Sequence, residues 1–194
     1  MERLTMYPSL IAERFTLRPL RDADAAAIAA ACVDPEIVRW CKSIPLDYTL
    51  DNARLFIDYT RVAASNGSEL VWAIDYSGVF AGVVTLFDIE HDAAEVGFWM
   101  APQMRGKGIL REALAVMMGF AFDPQGMGLN QLTWTAIEGN IASEKAALAV
   151  GFAGIRTVPK GTFDRRLPSG EQPRLTARTA TMTRAQWAEK GFPV

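Results

Sequence analysis

The chain has 194 residues, half of them apolar and 22% charged, with a formal net charge of -2. That length sets the expectation of one domain over 1–194 with a sizeable core. Arg and Lys are scattered among acids, which argues against a nucleic-acid partner, since that needs a basic imbalance or stripe.

The N-terminus lacks a basic start followed by an apolar core, so no signal peptide is expected. The longest apolar runs, such as Ala113–Ala121, are too short to span a bilayer, and no membrane partner is expected. Cys32 and Cys41 make no disulfide framework and read as core or near-core thiols of a cytoplasmic protein.

Arg14–Leu20 alternates and is rich in strand formers, with Pro19 marking an edge or strand end. Asp22–Val33 is alanine-rich and helical, and Asp34-Pro35-Glu36 restarts a short helix through Trp40. After a loop at Ser43–Tyr48, Thr49–Ser65 places Leu55, Phe56, Tyr59 and Val62 at helical period, with Thr49 as cap and Asn66-Gly67 as stop. Leu70–Tyr76 and Val79–Ile89 read as a hairpin turned by Ser77-Gly78, and Ala94–Met100 follows a turn at His91-Asp92. Gly106–Phe122 is a helix stopped by Asp123-Pro124. Gln131–Glu138 alternates as a strand, Asn140–Val150 is a helix closed by Gly151, and Phe152–Val158 is a strand. Lys160–Pro173, with its Gly and Pro, reads as a loop or arm before a last strand, Arg174–Met182, and a capped terminal helix at Thr183–Trp187. The order predicts an α+β fold, a mixed and mostly antiparallel sheet with helices on its faces. Trp40, Phe56, Trp72 and Phe87 are assigned to the core by default.

The most informative stretch is Gln103-Met104-Arg105-Gly106-Lys107-Gly108, between a strand and a helix. Glycines let a backbone approach closely, and free N–H groups at a helix start favour an anion such as a pyrophosphate. It is not a Walker loop, because Ile109 follows Gly108. It is not a dinucleotide fingerprint, because Arg111 stands where the third glycine belongs. The single histidine, His91, sits in a turn, which argues against Ser-His-Asp and Cys-His devices and, with two cysteines, against a zinc site. Acid–base chemistry is left to carboxylates, Tyr, Ser or water.

Gln103-x-x-Gly106-x-Gly108 resembles the cofactor loop of the GNAT acyl-CoA N-acyltransferases. Glu13-Arg14-Phe-Thr-Leu17-Arg18-Pro19, Glu95-Val-Gly97-Phe-Trp99-Met, and Asn140-x-x-Ser143 followed by Gly151-Phe152 resemble segments of its RimJ/RimL-like branch, which acetylates ribosomal-protein N-termini. The likeness covers roughly residues 10–190. Leu148-Ala149 depart from it, standing where a Glu-Lys pair is common.

The resemblance implies a sheet of about seven strands, acetyl-CoA or another acyl-CoA as cosubstrate, no metal, and an amine acceptor that is a protein N-terminus or a small molecule. It alone suggests a homodimer through the terminal strands. Pyrophosphate would lie on the N–H groups of Met104 to Ile109, with charge from Arg105 and Lys107. Pantetheine would pair with Phe98, Trp99 and Met100, with Gly97 allowing a bulge or close approach, and Asn140 would bond the same arm. Glu95 is the chosen base: alternation points it away from Val96 and Phe98, while Glu90 and Asp88 are weaker choices. Ser143 is the chosen acid. Trp99 would wall an acceptor pocket built from Asp34–Asp51 and Lys160–Pro173. A non-catalytic acyl-CoA-binding module would share the loop but need no base, and an unrelated nucleotide binder would accept ATP as readily.

Overall fold

The computed structural model describes residues 7–191; residues 1–6, on which the targeting reading falls, and 192–194 lie outside the described residues. The strands are β1 (Leu10–Ile11), β2 (Thr16–Pro19), β3 (Leu70–Tyr76), β4 (Val79–Glu90), β5 (Ala93–Met100), β6 (Gln131–Ile137), β7 (Arg156–Phe163) and β8 (Arg174–Thr183). The helices are α1 (Ala25–Ala31), α2 (Pro35–Trp40), α3 (Leu50–Asn66), α4 (Ile109–Phe122), α5 (Ile141–Ala149) and α6 (Arg184–Glu189). The strands form one sheet in the order β1-β2-β3-β4-β5-β6-β8-β7. Every neighbouring pair is antiparallel except β5 with β6.

Local chemistry explains the boundaries. Ser77 and Gly78, at φ 52° and 81°, make the left-handed two-residue turn that matches hairpin twist. Thr49 and Asn52 cap the start of α3 reciprocally, and Gly67 closes it at φ 72°. Helices cover both faces. Phe56 of α3 and Val71 of β3 line a common cavity on one side. Trp72, the next residue, meets Phe120 of α4 edge-on at 5.9 Å on the other.

A buried ion cluster pins β2 to this frame. Arg18 donates from both terminal nitrogens to Asp24, at 2.8 Å each, and from Nε to Asp75 at 2.7 Å. Asp24 also accepts from the Arg21 N–H, and Asp75 from the Gly78 N–H, so one guanidinium ties a turn, a strand and a hairpin together.

The sheet agrees with the mixed, mostly antiparallel one of about seven strands expected; it has eight, β1 being two residues long. Two element boundaries are corrected. The strand expected at Phe152–Val158 runs instead over Arg156–Phe163, because Pro159, Lys160 and Gly161 form an irregularity inside it. Lys160 takes φ 54°, and a Cβ at Gly161 would stand 2.9 Å from Val158 and Ala177. Proline and glycine here mark a bulge on an edge strand, not a loop. The helix expected from Gly106 begins at Ile109, since Gly106 and Gly108 both have φ 74°, which an α-helix excludes.

Asp24→Ala would leave Arg18, 8% exposed, without its bidentate partner. Urea unfolding should show a loss of about 3–5 kcal/mol. A loss below about 1 kcal/mol would mean that Asp75 alone satisfies the guanidinium.

Candidate active site

The site lies where the one parallel pair parts. β5 and β6 are in register from Ala93↔Gln131 to Val96↔Trp134, but β5 continues to Met100 and β6 to Ile137. From Gly97 onward β5 therefore has a neighbour only on its β4 side, down to Met100 opposite Gly82. Ligands of α/β sheets bind at such a carboxyl-end opening.

A groove of about 410 Å³ runs along this opening, lined by Phe98, Trp99, Met100, Met104 and every residue from Arg105 to Arg111, with Asn140 and Ser143 across from them. Helix α4 starts in the groove. The first helical bond runs from the Glu112 N–H to the Gly108 carbonyl at 3.5 Å, so the N–H groups of Ile109, Leu110 and Arg111 are free of helical partners and available to an anion. Arg14 steadies the loop, donating to the Lys107 carbonyl at 3.2 Å and to Glu112 at 2.7 Å.

The structure differs here from the residue roles expected. The N–H groups of Met104 and Arg105 are already spent on the carbonyls of Ala101 and Pro102, in a 3-10 turn at Pro102–Met104. Gln103 is exposed and stands outside the groove lining. The Arg105 guanidinium donates to Asp34 at 2.6 Å and to the Met100 carbonyl at 3.3 Å. Asp34, held below the usual carboxylate range chiefly by Arg105, also caps α2 through the Ile37 N–H. Arg105 thus acts as a strut between the loop and α2. Lys107 remains as the loop's cation, its Nζ 3.7 Å from Met104 Sδ.

Gly97 pairs regularly with Thr85, without the bulge considered for it. A Cβ there would stand 2.7 Å from Thr85 Cγ2 and 3.1 Å from Phe87 Cε1, so the glycine makes room for side chains of β4.

Beyond the groove lies a second cavity of about 950 Å³, and the two share Trp40, Cys41, Phe98, Trp99, Asn140 and Ser143. Glu95 faces this cavity, half-buried, and burial lifts its carboxyl from 4.5 to about 7 against a hydrogen bond from Thr135, with Asp88 adding a smaller push upward. A carboxyl poised there exchanges protons readily at neutral pH. Ser143 Oγ accepts from Trp134 Nε1 at 3.0 Å, which leaves its O–H free to donate. Asn140 caps α5, its Oδ1 accepting from the Ser143 N–H at 3.2 Å while its amide nitrogen stays available.

Several lining positions escaped the sequence. Trp40, Phe56 and Phe87, assigned to the core, wall the cavity, whereas Trp72 is fully buried as expected. Tyr48 and Tyr59 also line it, as do Glu69 and Asp88; Glu90 does not. Loop residues 41–45 and the Gly161–Phe163 segment supply walls from the two stretches expected to build the pocket. Burial pushes the Cys32 and Cys41 thiols up to about 12 and about 11, which suits neither to nucleophilic work at neutral pH.

A family model described as an acetyltransferase (GNAT) domain matches residues 14–153. The chain belongs to the GNAT acetyltransferase family. YdaF of Bacillus subtilis (strain 168), named "Putative ribosomal N-acetyltransferase", is 27% identical over 154 residues, covering 76% of this chain and 82% of its own. Among solved structures, RimJ of Mycobacterium smegmatis with CoA-disulfide aligns at a TM-score of 0.75 and 21% identity, over 92% of this chain and 90% of that one. The microcin C7 self-immunity acetyltransferase MccE, solved with acetyl-CoA and AMP, aligns at 0.77 and 19%, over 93% and 99%. These structures share the GNAT fold of this chain.

Glu95→Gln tests the cost of that carboxyl to the GNAT fold. Its folded value near 7 lies above 4.5, so the charged form opposes folding. The penalty is absent below about pH 4.5, grows up to pH 7 and is full above it. Glu95→Gln should therefore raise the melting temperature at pH 8 and leave it unchanged at pH 4. An equal shift at both pH values would show that Glu95 is not held in a charge-disfavouring place.

Proposed function

We infer that the chain is a single cytoplasmic domain that moves an acetyl group from acetyl-CoA to a primary amine, by direct attack while both are bound. The observation that carries this reading is one cleft with two chambers. An anion-suited helix start lies at one end, an unpaired strand edge runs along the middle, and a carboxyl poised near neutrality faces the far chamber.

The residues fit acyl-CoA. The N–H groups of Ile109 to Arg111, with Lys107, suit a pyrophosphate. The free edge of β5 from Gly97 to Met100, apart from the Met100 carbonyl that Arg105 holds, offers N–H and C=O groups to the amides of a pantetheine arm, and Asn140 lines the groove opposite it. When bound, acetyl-CoA supplies the thioester carbonyl. Glu95, directly or through water, removes the amine proton. Backbone N–H groups of Phe98–Met100 support negative charge developing on the carbonyl oxygen. Ser143 Oγ gives its proton to the departing sulfur, and the Trp134 indole holds that oxygen in place meanwhile. The amine is a protein N-terminus or a small molecule; likeness to the ribosomal acetyltransferases supports the first.

Thiol release from acetyl-CoA against a panel of N-terminal peptides and small amines tests the reaction. Glu95→Gln should lower kcat/KM by about 10²–10⁴ and remove the rise in rate across pH 7, while CoA-dependent thermal stabilisation persists. Retention of full turnover in Glu95→Gln would transfer the base role to water or another carboxylate.

A further inference from the structure

The cavity that would receive the amine is aromatic next to the proposed base. The Phe87 ring lies against the side-chain-free face of Gly97, 3.1 Å and 3.5 Å from where a Cβ would stand. Glu95, Gly97 and Trp99 alternate onto this same face of β5, so the Phe87 and Trp99 rings follow the carboxyl along the cavity floor. Phe56 closes the cavity from α3. All three rings are half-buried, whereas Trp72, Trp134 and Trp187 are at most 1% exposed. Apolar surface left wet forgoes the stabilisation that burial would bring. A hydrophilic acceptor leaves these rings wet; a ring-bearing one covers them and adds the directional attraction of aromatic pairs.

Charge selects the other half of the ligand. Glu69, Asp88 and Glu95 line the cavity, and among the described residues none of them is in an ion pair. The cation of the lining, Lys42, is 3.3 Å from Asp164. The walls thus suit a positive group attached to an apolar body. A volume of about 950 Å³ leaves room for a ring and the chain that carries it.

We propose that the acceptor is a primary ammonium carrying an aromatic ring, its nitrogen at Glu95 and its ring against Phe87 and Phe56. This rests on the acyltransferase reading above. The nitrogen gives one proton to the Glu95 carboxylate and bonds the acetyl carbon, and the carbon–sulfur bond breaks. The sulfur takes the Ser143 proton, the second proton lost by the nitrogen restores Ser143 through water, and Glu95 discharges its proton to solvent. An arylalkylamine and a peptide beginning with Phe or Tyr share this chemistry.

Thiol release from acetyl-CoA should be compared for phenethylamine, a tripeptide amide beginning with Phe, one beginning with Ser, and spermidine. Acetyl-CoA-dependent thermal stabilisation is read on the same samples. At least one aromatic amine should exceed both hydrophilic ones by about tenfold or more in kcat/KM. The two aromatic arms separate a small amine from a peptide as its source. Phe56→Ala and Phe87→Leu should each remove most of that preference while acetyl-CoA stabilisation is unchanged. Equal or better turnover of spermidine or the Ser peptide overturns the aromatic assignment and leaves acyl transfer standing. Stabilisation by acetyl-CoA with turnover of none of these amines overturns the assignment as well. Absence of stabilisation by acetyl-CoA overturns the acyltransferase reading itself.

Discussion

The parting of β5 and β6 after Val96 and Trp134 is the constraint on which the site depends. Had the parallel ladder continued to Met100 and Ile137, the backbone groups of both strands would be satisfied internally and no cleft would exist. Parting leaves them facing one another across a gap that a ligand or water must fill. The same geometry sets two helix starts at the mouth, because β5 leads through Pro102–Gly108 into α4, and β6 leads through Asn140 into α5. Both chambers, and the six residues they share, follow from that divergence.

The protein treats two buried charges in opposite ways. Arg18 is held by two carboxylates, Asp24 across its terminal nitrogens and Asp75 at Nε, and is wholly committed to holding β2, its turn and the β3–β4 hairpin. Glu95 has a hydroxyl partner in Thr135 and no cation, so its neutral form is favoured until about pH 7. A paired buried charge is inert, whereas an unpaired one keeps its proton exchangeable near neutral pH. The difference separates a structural ion cluster from a group able to act on a substrate.

Much of this was legible in the sequence because it rests on short-range rules. Strand alternation put Glu95 on the face opposite Val96 and Phe98, and Asn140 with Ser143 has the spacing of a helix cap. Two glycines before Ile109 marked an anion-suited turn. What stayed hidden depends on contacts between distant residues. Nothing near Arg105 announces that its guanidinium reaches Asp34, 71 positions away. Trp40, Phe56 and Phe87 have the composition of core residues, and only the placement of α2, α3 and β4 around the gap leaves them half-buried. Pro159 and Gly161 carry the same local signal whether they make a loop or a bulge, and pairing with β8 decides between the two.

The Arg105–Asp34 strut also joins the two chambers mechanically. Its carboxylate caps α2, and α2 ends in Trp40 beside Cys41, two of the residues common to groove and cavity. From the other side, Arg165 donates to the Val38 carbonyl at 2.8 Å and to the Lys42 carbonyl at 3.4 Å, while Asp164 meets Lys42. Helix α2 is six residues long, too short to hold its own position, and takes it from these two arginines and the buried Ile37. The Arg105–Asp34 ion pair therefore ties the position of the Arg105–Gly108 loop to the helix that walls the neighbouring cavity. The ion pair that removes Arg105 from the set of free cations thereby braces a wall common to both chambers.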